Sequence, residues 1–181
     1  SCELLPGMLI SEGLLIERYG LSKSPTRSAL IRLKQEGLIT SRGQKGSVVS
    51  RIMISDVQEI FQLRLLIEVT VARLAAGKVN VKELRALNKD IHTIFKSNKK
   101  SKMAEYLRAN RKLHKYVAES SGNQRLAVLS INLMEQHERI IHLGFAKQNR
   151  RQDFIHFHDD FVEALINGDS KLAARLVETS L

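Results

Sequence analysis

Apolar residues recur along most of this chain at three- and four-residue intervals, the spacing that lines one face of an α-helix. Near the start the runs are short. Ser11 to Arg18 reads as a brief helix with an apolar stripe, and Gly20 allows the turn that follows. A second helix is expected to open on Ser24-Pro25, with Ser24 as N-cap and Pro25 in the first helical position, where a missing N–H costs nothing. Ala29, Leu30 and Leu33 supply its apolar stripe, and Gly37 stops it. The period then changes. Leu38-Ile39-Thr40 and Ser47-Val48-Val49 read as two strands, with Gly43 and Gly46 permitting a tight turn that carries Gln44 and Lys45. Helix, turn, helix and basic hairpin, in that order, predict a winged helix-turn-helix over residues 1–51.

From residue 52 to the end the helical period takes over. A capping box at Ser55-Asp56-Val57-Gln58 opens a run to Ala76, ended by Gly77. Further helices are expected over Val81–Lys96, Met103–Ser120, Gln124 to about Phe145, Asp153–Ile166, and from Ser170 (as cap) to the end. Six amphipathic helices in succession pack most simply as an antiparallel bundle. The expected fold class is mainly α, a winged helix-turn-helix followed by a six-helix bundle over residues 52–181.

Composition sharpens this in two places. The 29 Lys and Arg exceed the 19 Asp and Glu, a net charge of +10 that favours an anionic partner. Between Gly20 and Lys45 six basic residues face one acidic residue, Glu36, so this segment can neutralise phosphates. Residues 78–125 hold a second basic region, thirteen Lys and Arg against four acidic residues, whose plainer reading is solvated helix faces. The single cysteine, Cys2, rules out an internal disulfide and fits a cytoplasmic location. No apolar stretch is long enough to cross a membrane, and no signal peptide is visible.

All six histidines fall in the bundle. Asn110 and His114, four apart, project from one helix face, where an oxygen and an imidazole can grip one ion. His158 can approach them from another helix. Such donors suit Zn²⁺, Ni²⁺, Mn²⁺ or Fe²⁺, and spacing does not choose among them. A hydrogen-bonded or surface histidine is the more ordinary role.

Both halves resemble one family. Residues 21–30, LSKSPTRSAL, are similar to the V-S-R-T-P-V-R-E-A-L helix of the GntR family of bacterial transcription regulators. Leu5-Pro6-Gly7 resembles its L-x-P-G, and Glu36-Gly37-Leu38-Ile39 with Gly46-Ser47-Val48-Val49 resemble its wing segments. Further on, Arg64-Leu65-Leu66-Ile67-Glu68 resembles the R-x-x-L-E of the FCD effector domain of the FadR-like branch. His114 with Ser120–Asn123, and His158 with Ala164–Asp169, resemble two more FCD segments, and six helices look closest to the VanR-like subgroup.

The resemblance implies a homodimeric regulator that binds operator DNA, with a small organic acid in the bundle, often beside a divalent metal, setting operator affinity. It places Ser22, Lys23, Ser24 and Arg27 at the DNA-contacting start of the recognition helix, and Gln44, Lys45 and Gly46 at the wing. Arg27 is suited to read guanine bidentately, and Lys23 and Lys45 to hold phosphates. For the metal it implies Asn110, His114 and His158, with two departures: Asn110 stands where the family has Asp, and Ser180 falls near a fourth ligand histidine. Without a metal the acid would meet charge directly. Arg64 and Arg139 are candidates for its carboxylate, with His137 and His142 nearby in sequence. For Arg64, an intrahelical pair with Glu68 is an equal alternative. The family also has a strand and helix ahead of L-x-P-G that this chain lacks, so a trimmed sequence is expected.

A repressor whose operator affinity is changed by a small carboxylic acid is the expected function. The alternative is a metalloenzyme acting on a small organic acid in the bundle. A sequence-neutral nucleic-acid binder using the 78–125 region is a third reading.

Overall fold

In a computed structural model the described residues are 3–43, 46–96, 103–142 and 151–181. The chain divides into two compact units at Ile54/Ser55.

The first unit holds β1 (Leu9–Ile10), α1 (Glu12–Tyr19), α2 (Lys23–Gln35), β2 (Ile39–Ser41) and β3 (Ser47–Val49). The hairpin is joined by a strand that the sequence pattern did not announce. β1 lies antiparallel to the outer side of β3, giving the order β1-β3-β2, with Leu9 opposite Val48 and Ile39 opposite Val49. Two residues are too few to show an alternating pattern. Ile10, Ile39 and Val49 make the buried centre, with Leu14, Leu30 and Leu33 packed on it.

Helix ends differ from expectation in instructive ways. Ser11 caps α1 as a side-chain acceptor, 3.1 Å from the Leu14 N–H. In α2 the N-cap is Ser22, not Ser24, which moves Pro25 to the third helical position. Proline is still tolerated there, because none of the first four N–H groups has a partner within the helix. The Ser22 carbonyl accepts from both the Thr26 N–H (3.3 Å) and the Thr26 hydroxyl (2.8 Å). Thr26 is buried, and the inward stripe of α2 is Thr26, Leu30 and Leu33, while Ala29 is exposed. Gly37, at φ 72°, ends the helix as expected.

The second unit holds α3 (Ile54–Ala75), α4 (Val81–Lys96), α5 (Met103–Ser120), α6 (Gln124–His142), α7 (Arg151–Ile166) and α8 (Ser170–Ser180). α3 begins before Ser55, so that serine lies inside the helix rather than capping it. α8 is capped by Asp169, whose carboxylate accepts from the Leu172 N–H at 2.9 Å, and Ser170 is its first residue. Asn123 caps α6 by accepting from the N–H groups of Arg125 and Leu126. The core runs through Val71, Leu84, Ile91, Leu113, Val117, Phe161 and Leu165. The helices pack chiefly α4 on α5, α5 on α6, α7 on α8 and α4 on α7. The turn after α3 meets the turn after α7: the Gly77 N–H donates to the Leu165 carbonyl at 2.9 Å. A Cβ on Gly77 would sit 3.5 Å from the Gly168 Cα.

The base of the wing carries the tightest steric demand. Gly46 has φ 98°, and a Cβ there would lie 2.6 Å from the Ile10 carbonyl oxygen, whereas one on Gly43 would meet nothing. Gly46→Ala is expected to destabilise the first unit by about 2–3 kcal/mol, and Gly43→Ala by about 1, since only the former adds a backbone clash to left-handed strain. Hydrogen exchange of the Val48 and Val49 amides reads both, and equal losses would show that β1 yields without cost.

Candidate nucleic-acid interface and bundle site

At the start of α2 Thr26 is buried, while Lys23, Ser24 and Arg27 are exposed. Ser22 makes no side-chain cap, so its hydroxyl is not committed to the helix. The first-turn N–H groups and the positive end of the helix dipole therefore face solvent beside basic side chains, an arrangement suited to phosphate oxygens. Arg27 is not idle. Its Nε donates to Glu12 of α1 at 3.3 Å, with the arginine side chain 66% exposed. A pair that exposed is worth about 0–1 kcal/mol, so exchanging it for a base edge costs little. Gly46 sits at the root of the hairpin, its carbonyl accepting from the Arg42 N–H at 2.8 Å. Gln44 and Lys45 lie outside the described residues.

In the bundle, four helices bring one polar cluster together. On α3, Arg64 and Glu68 are one turn apart on the face that also buries Val71 and Ala75. Both are 6% exposed. Arg64 Nε donates to Glu68 Oε1 at 2.6 Å and Nη2 to Oε2 at 3.3 Å. The intrahelical pair is thus real, but it satisfies only part of the guanidinium. Among the described residues, none offers a hydrogen-bond partner to the buried Arg64 Nη1. The guanidinium lies over Phe61 (5.6 Å), and Phe61 meets His137 of α6 edge-on at 5.2 Å.

α5 and α7 complete the cluster. Asn110 Oδ1 lies 2.8 Å from His158 Nε2. An amide oxygen only accepts, so His158 carries its proton on Nε2 and donates it. The His114 ring stands 5.7 Å from that of His158 and is stacked at 6.1 Å on Phe161. Burial, then the charge of Arg64, pushes His114 down to about 4. His137 is pushed down to about 3 by burial, by Arg64 and by His114. Both imidazoles are neutral at pH 7, each keeping one donor and one acceptor nitrogen.

The three residues expected to ligate a metal are therefore neighbours. As a donor set they amount to two imidazoles and one neutral amide. Ser180 does not extend the set: its hydroxyl donates to the Val177 carbonyl at 3.0 Å. Among the described residues no three His, Cys, Asp or Glu side chains are placed to hold an ion.

Of the expected effector contacts, Arg64 and His137 join the cluster. Arg139 follows His137 by two positions, which turns it about 200° around α6, so one helix face does not present both. His142, half-buried, is lowered by burial. The sequence pattern gave no prominence to Phe61, Phe157 and Phe161, the aromatic wall of the cluster, with Phe157 and Phe161 stacked at 5.4 Å. A signal was present: Phe61 stands three before Arg64 and Phe161 three after His158, both within one turn. The second basic region is partly neutralised within the bundle. Arg85 pairs with Glu163 (3.1 Å) and Arg111 with Glu138 (3.4 Å). Burial raises Glu138, and Arg111 draws it back down.

Comparison with known proteins is consistent across both units. Residues 1–49 match the bacterial regulatory proteins of the gntR family, and residues 59–181 match the FCD domain. The chain is 26% identical over 177 residues to an uncharacterized HTH-type transcriptional regulator, YdhC, of Bacillus subtilis, covering 95% of this chain and 77% of that one. It is 25% identical over 180 residues to the HTH-type transcriptional repressor RspR of Escherichia coli, covering 99% and 79%. Among solved structures, McbR/YncC of E. coli superposes with a TM-score of 0.81 at 18% identity, covering 98% of this chain and 86% of that one. A GntR regulator of Rhodococcus does so at 0.75 and 16%, covering 98% and 84%. These comparisons lend the metalloenzyme alternative no support.

The depressed histidines make acid stability a test of the cluster. In the unfolded chain both would protonate near 6.5, and in the folded protein only near 4 and 3. As pH falls below 6.5 the unfolded chain therefore binds protons first. Stability is unaffected by these groups above that pH and declines toward pH 4. A histidine that protonates only on unfolding costs about 1.4 kcal/mol for each pH unit descended, so His137 alone contributes a loss on the order of 2–3 kcal/mol. His137→Gln should flatten the fall in urea-unfolding free energy between pH 6.5 and 4.5. An unchanged slope would place His137 in solvent.

Proposed function

Because the chain belongs to the GntR family of bacterial regulatory proteins and carries the FCD domain, we propose that it is a repressor which leaves its operator, or grips it differently, when the bundle takes up a small carboxylic acid. The exposed first turn of α2, with Lys23, Ser24 and Arg27 presented ahead of a wing rooted at Gly46, carries the DNA half of this reading. Lys23 and the helix N-terminus position the protein on phosphates, and Arg27 reads a base edge after releasing Glu12. The name of the E. coli relative, a transcriptional repressor, favours repression. For the sensing half, the buried guanidinium of Arg64 offers an unpartnered N–H to an anion.

A second copy of the chain is the natural partner. Leu63, Leu66 and Leu74 form an exposed apolar stripe on α3, with Val128 and Leu129 exposed on α6. Covering such a stripe is what an isologous dimer does, and two-fold symmetry then calls for a palindromic operator.

Arg27→Ala is expected to weaken binding to the cognate site roughly ten- to a hundredfold, and to random duplex far less, at one salt concentration. Equal loss on both duplexes in a fluorescence-anisotropy titration would remove Arg27 from base reading. Leu66→Asp should shift the protein to monomer in sedimentation velocity and weaken operator binding with it. A dimer unchanged by Leu66→Asp and by Leu129→Asp would place the interface elsewhere.

A further inference from the structure

The donor set and the charge inside the bundle do not agree with a metal-dependent site. Two imidazoles and a neutral amide are a weaker set than the three or four imidazole, thiolate or carboxylate ligands that hold a transition metal. Among the described residues no carboxylate completes the set. Glu68, the acidic group of the cluster, is committed through both oxygens to Arg64. Asn110 and His158 satisfy each other directly at 2.8 Å, a protein-only brace between α5 and α7. Ser180 is turned to its own helix backbone. The Arg64 guanidinium lies 5.6 Å over the Phe61 ring, which meets His137 edge-on, so a cation already stands beside the imidazoles. A dication would meet its repulsion, and an anion would meet attraction.

Among the described residues of the cluster, a buried cationic N–H finds no acceptor. Arg64 Nη1 is buried with no acceptor, in a side chain that is 6% exposed and already fastened at Nε and Nη2. A buried cationic N–H without an acceptor is costly, and an incoming oxygen removes the cost. The fork is held in place beforehand by Glu68 and Phe61, so little ordering remains for the ligand to impose. His137, packed against Phe61, is a neutral imidazole beside it and can add a second N–H.

We infer that this protein binds its carboxylate effector without a metal ion, on Arg64 Nη1, with the Asn110–His158 hydrogen bond occupying the position where the family resemblance implies a metal. The inference rests on the sensing half of the function proposed above. It deepens that half by naming the contact and by removing the cofactor.

The test uses the full chain, with acetate, malate and benzoate as anions and Zn²⁺ and Ni²⁺ as metals. After exhaustive EDTA treatment and dialysis, at least one of the three anions is expected to raise the melting temperature, with the same midpoint concentration as before chelation. Arg64→Lys keeps the charge beside Glu68 but loses the fork. It should fold with near-native stability and bind the active anion roughly ten- to a hundredfold more weakly, the worth of one charge-assisted hydrogen bond. Zn²⁺ and Ni²⁺ alone are expected to bind no more tightly than to His114→Ala. Asn110→Asp should bind Zn²⁺ where the native chain does not. Stoichiometric metal in the protein as purified, or an anion response that EDTA abolishes and metal restores, would overturn the inference and leave the effector reading standing. Anion binding unchanged in Arg64→Lys would also overturn it. If none of the three anions binds with or without metal, the carboxylate-effector reading fails first and takes the inference with it.

Discussion

A buried charge governs the interior of the helical unit. Arg64 sits among aromatic rings and imidazoles, and it is tolerable there because Glu68, one turn along the same helix, meets it in two contacts. The pair is preassembled by helix geometry before any tertiary contact forms. Desolvation of such a pair roughly cancels its attraction, so it adds little to stability. Its consequence is electrostatic. It helps keep His114 and His137 neutral and, among the described residues, leaves one buried N–H without an acceptor.

Around that charge the bundle is braced by small numbers of well-placed groups. Asn110 and His158 tie α5 to α7. Asn88 and His92 both reach Asp159, tying α4 to α7 at 2.7 Å. The Tyr116 hydroxyl receives the Asn80 N–H at the start of α4. These bonds cross between helices remote in sequence, so they select one helix register over its neighbours. The apolar core alone tolerates several registers at similar cost. In the DNA-reading unit, Leu30 and Leu33 pack α2 on the Ile10, Ile39 and Val49 core and so set which side of the helix meets solvent.

Much of this was legible in the chain. The six bundle helices, the α2–hairpin order and the stops at Gly37, Gly77 and Gly122 follow from periodicity and from residues whose backbone demands are local. The caps were less legible. Ser24, Ser55 and Ser170 all have the right chemistry, yet each lies inside its helix, since α2 begins at Lys23, α3 at Ile54 and α8 at Ser170 itself after the Asp169 cap. Helix starts shift by a residue or two with how the chain arrives, and at α8 a competing side chain, Asp169, takes the cap hydrogen bond. β1 was invisible for a related reason: it exists only because β3 offers an edge.

For the site, the order of residues was enough to say which of the candidate residues share a helix: Asn110 with His114, Arg64 with Glu68, Lys23 with Arg27. Those pairings are fixed by the helical repeat, which needs no knowledge of the fold. It took the packed helices to show that His158 spends its proton on Asn110, that Phe61 couples Arg64 to His137, and that Arg27 rests on Glu12. The same packing makes Arg64 both paired and still wanting an acceptor, two readings that had looked exclusive. The reason is that contacts between helices depend on crossing geometry and burial, and these belong to the packed chain rather than to any segment of it.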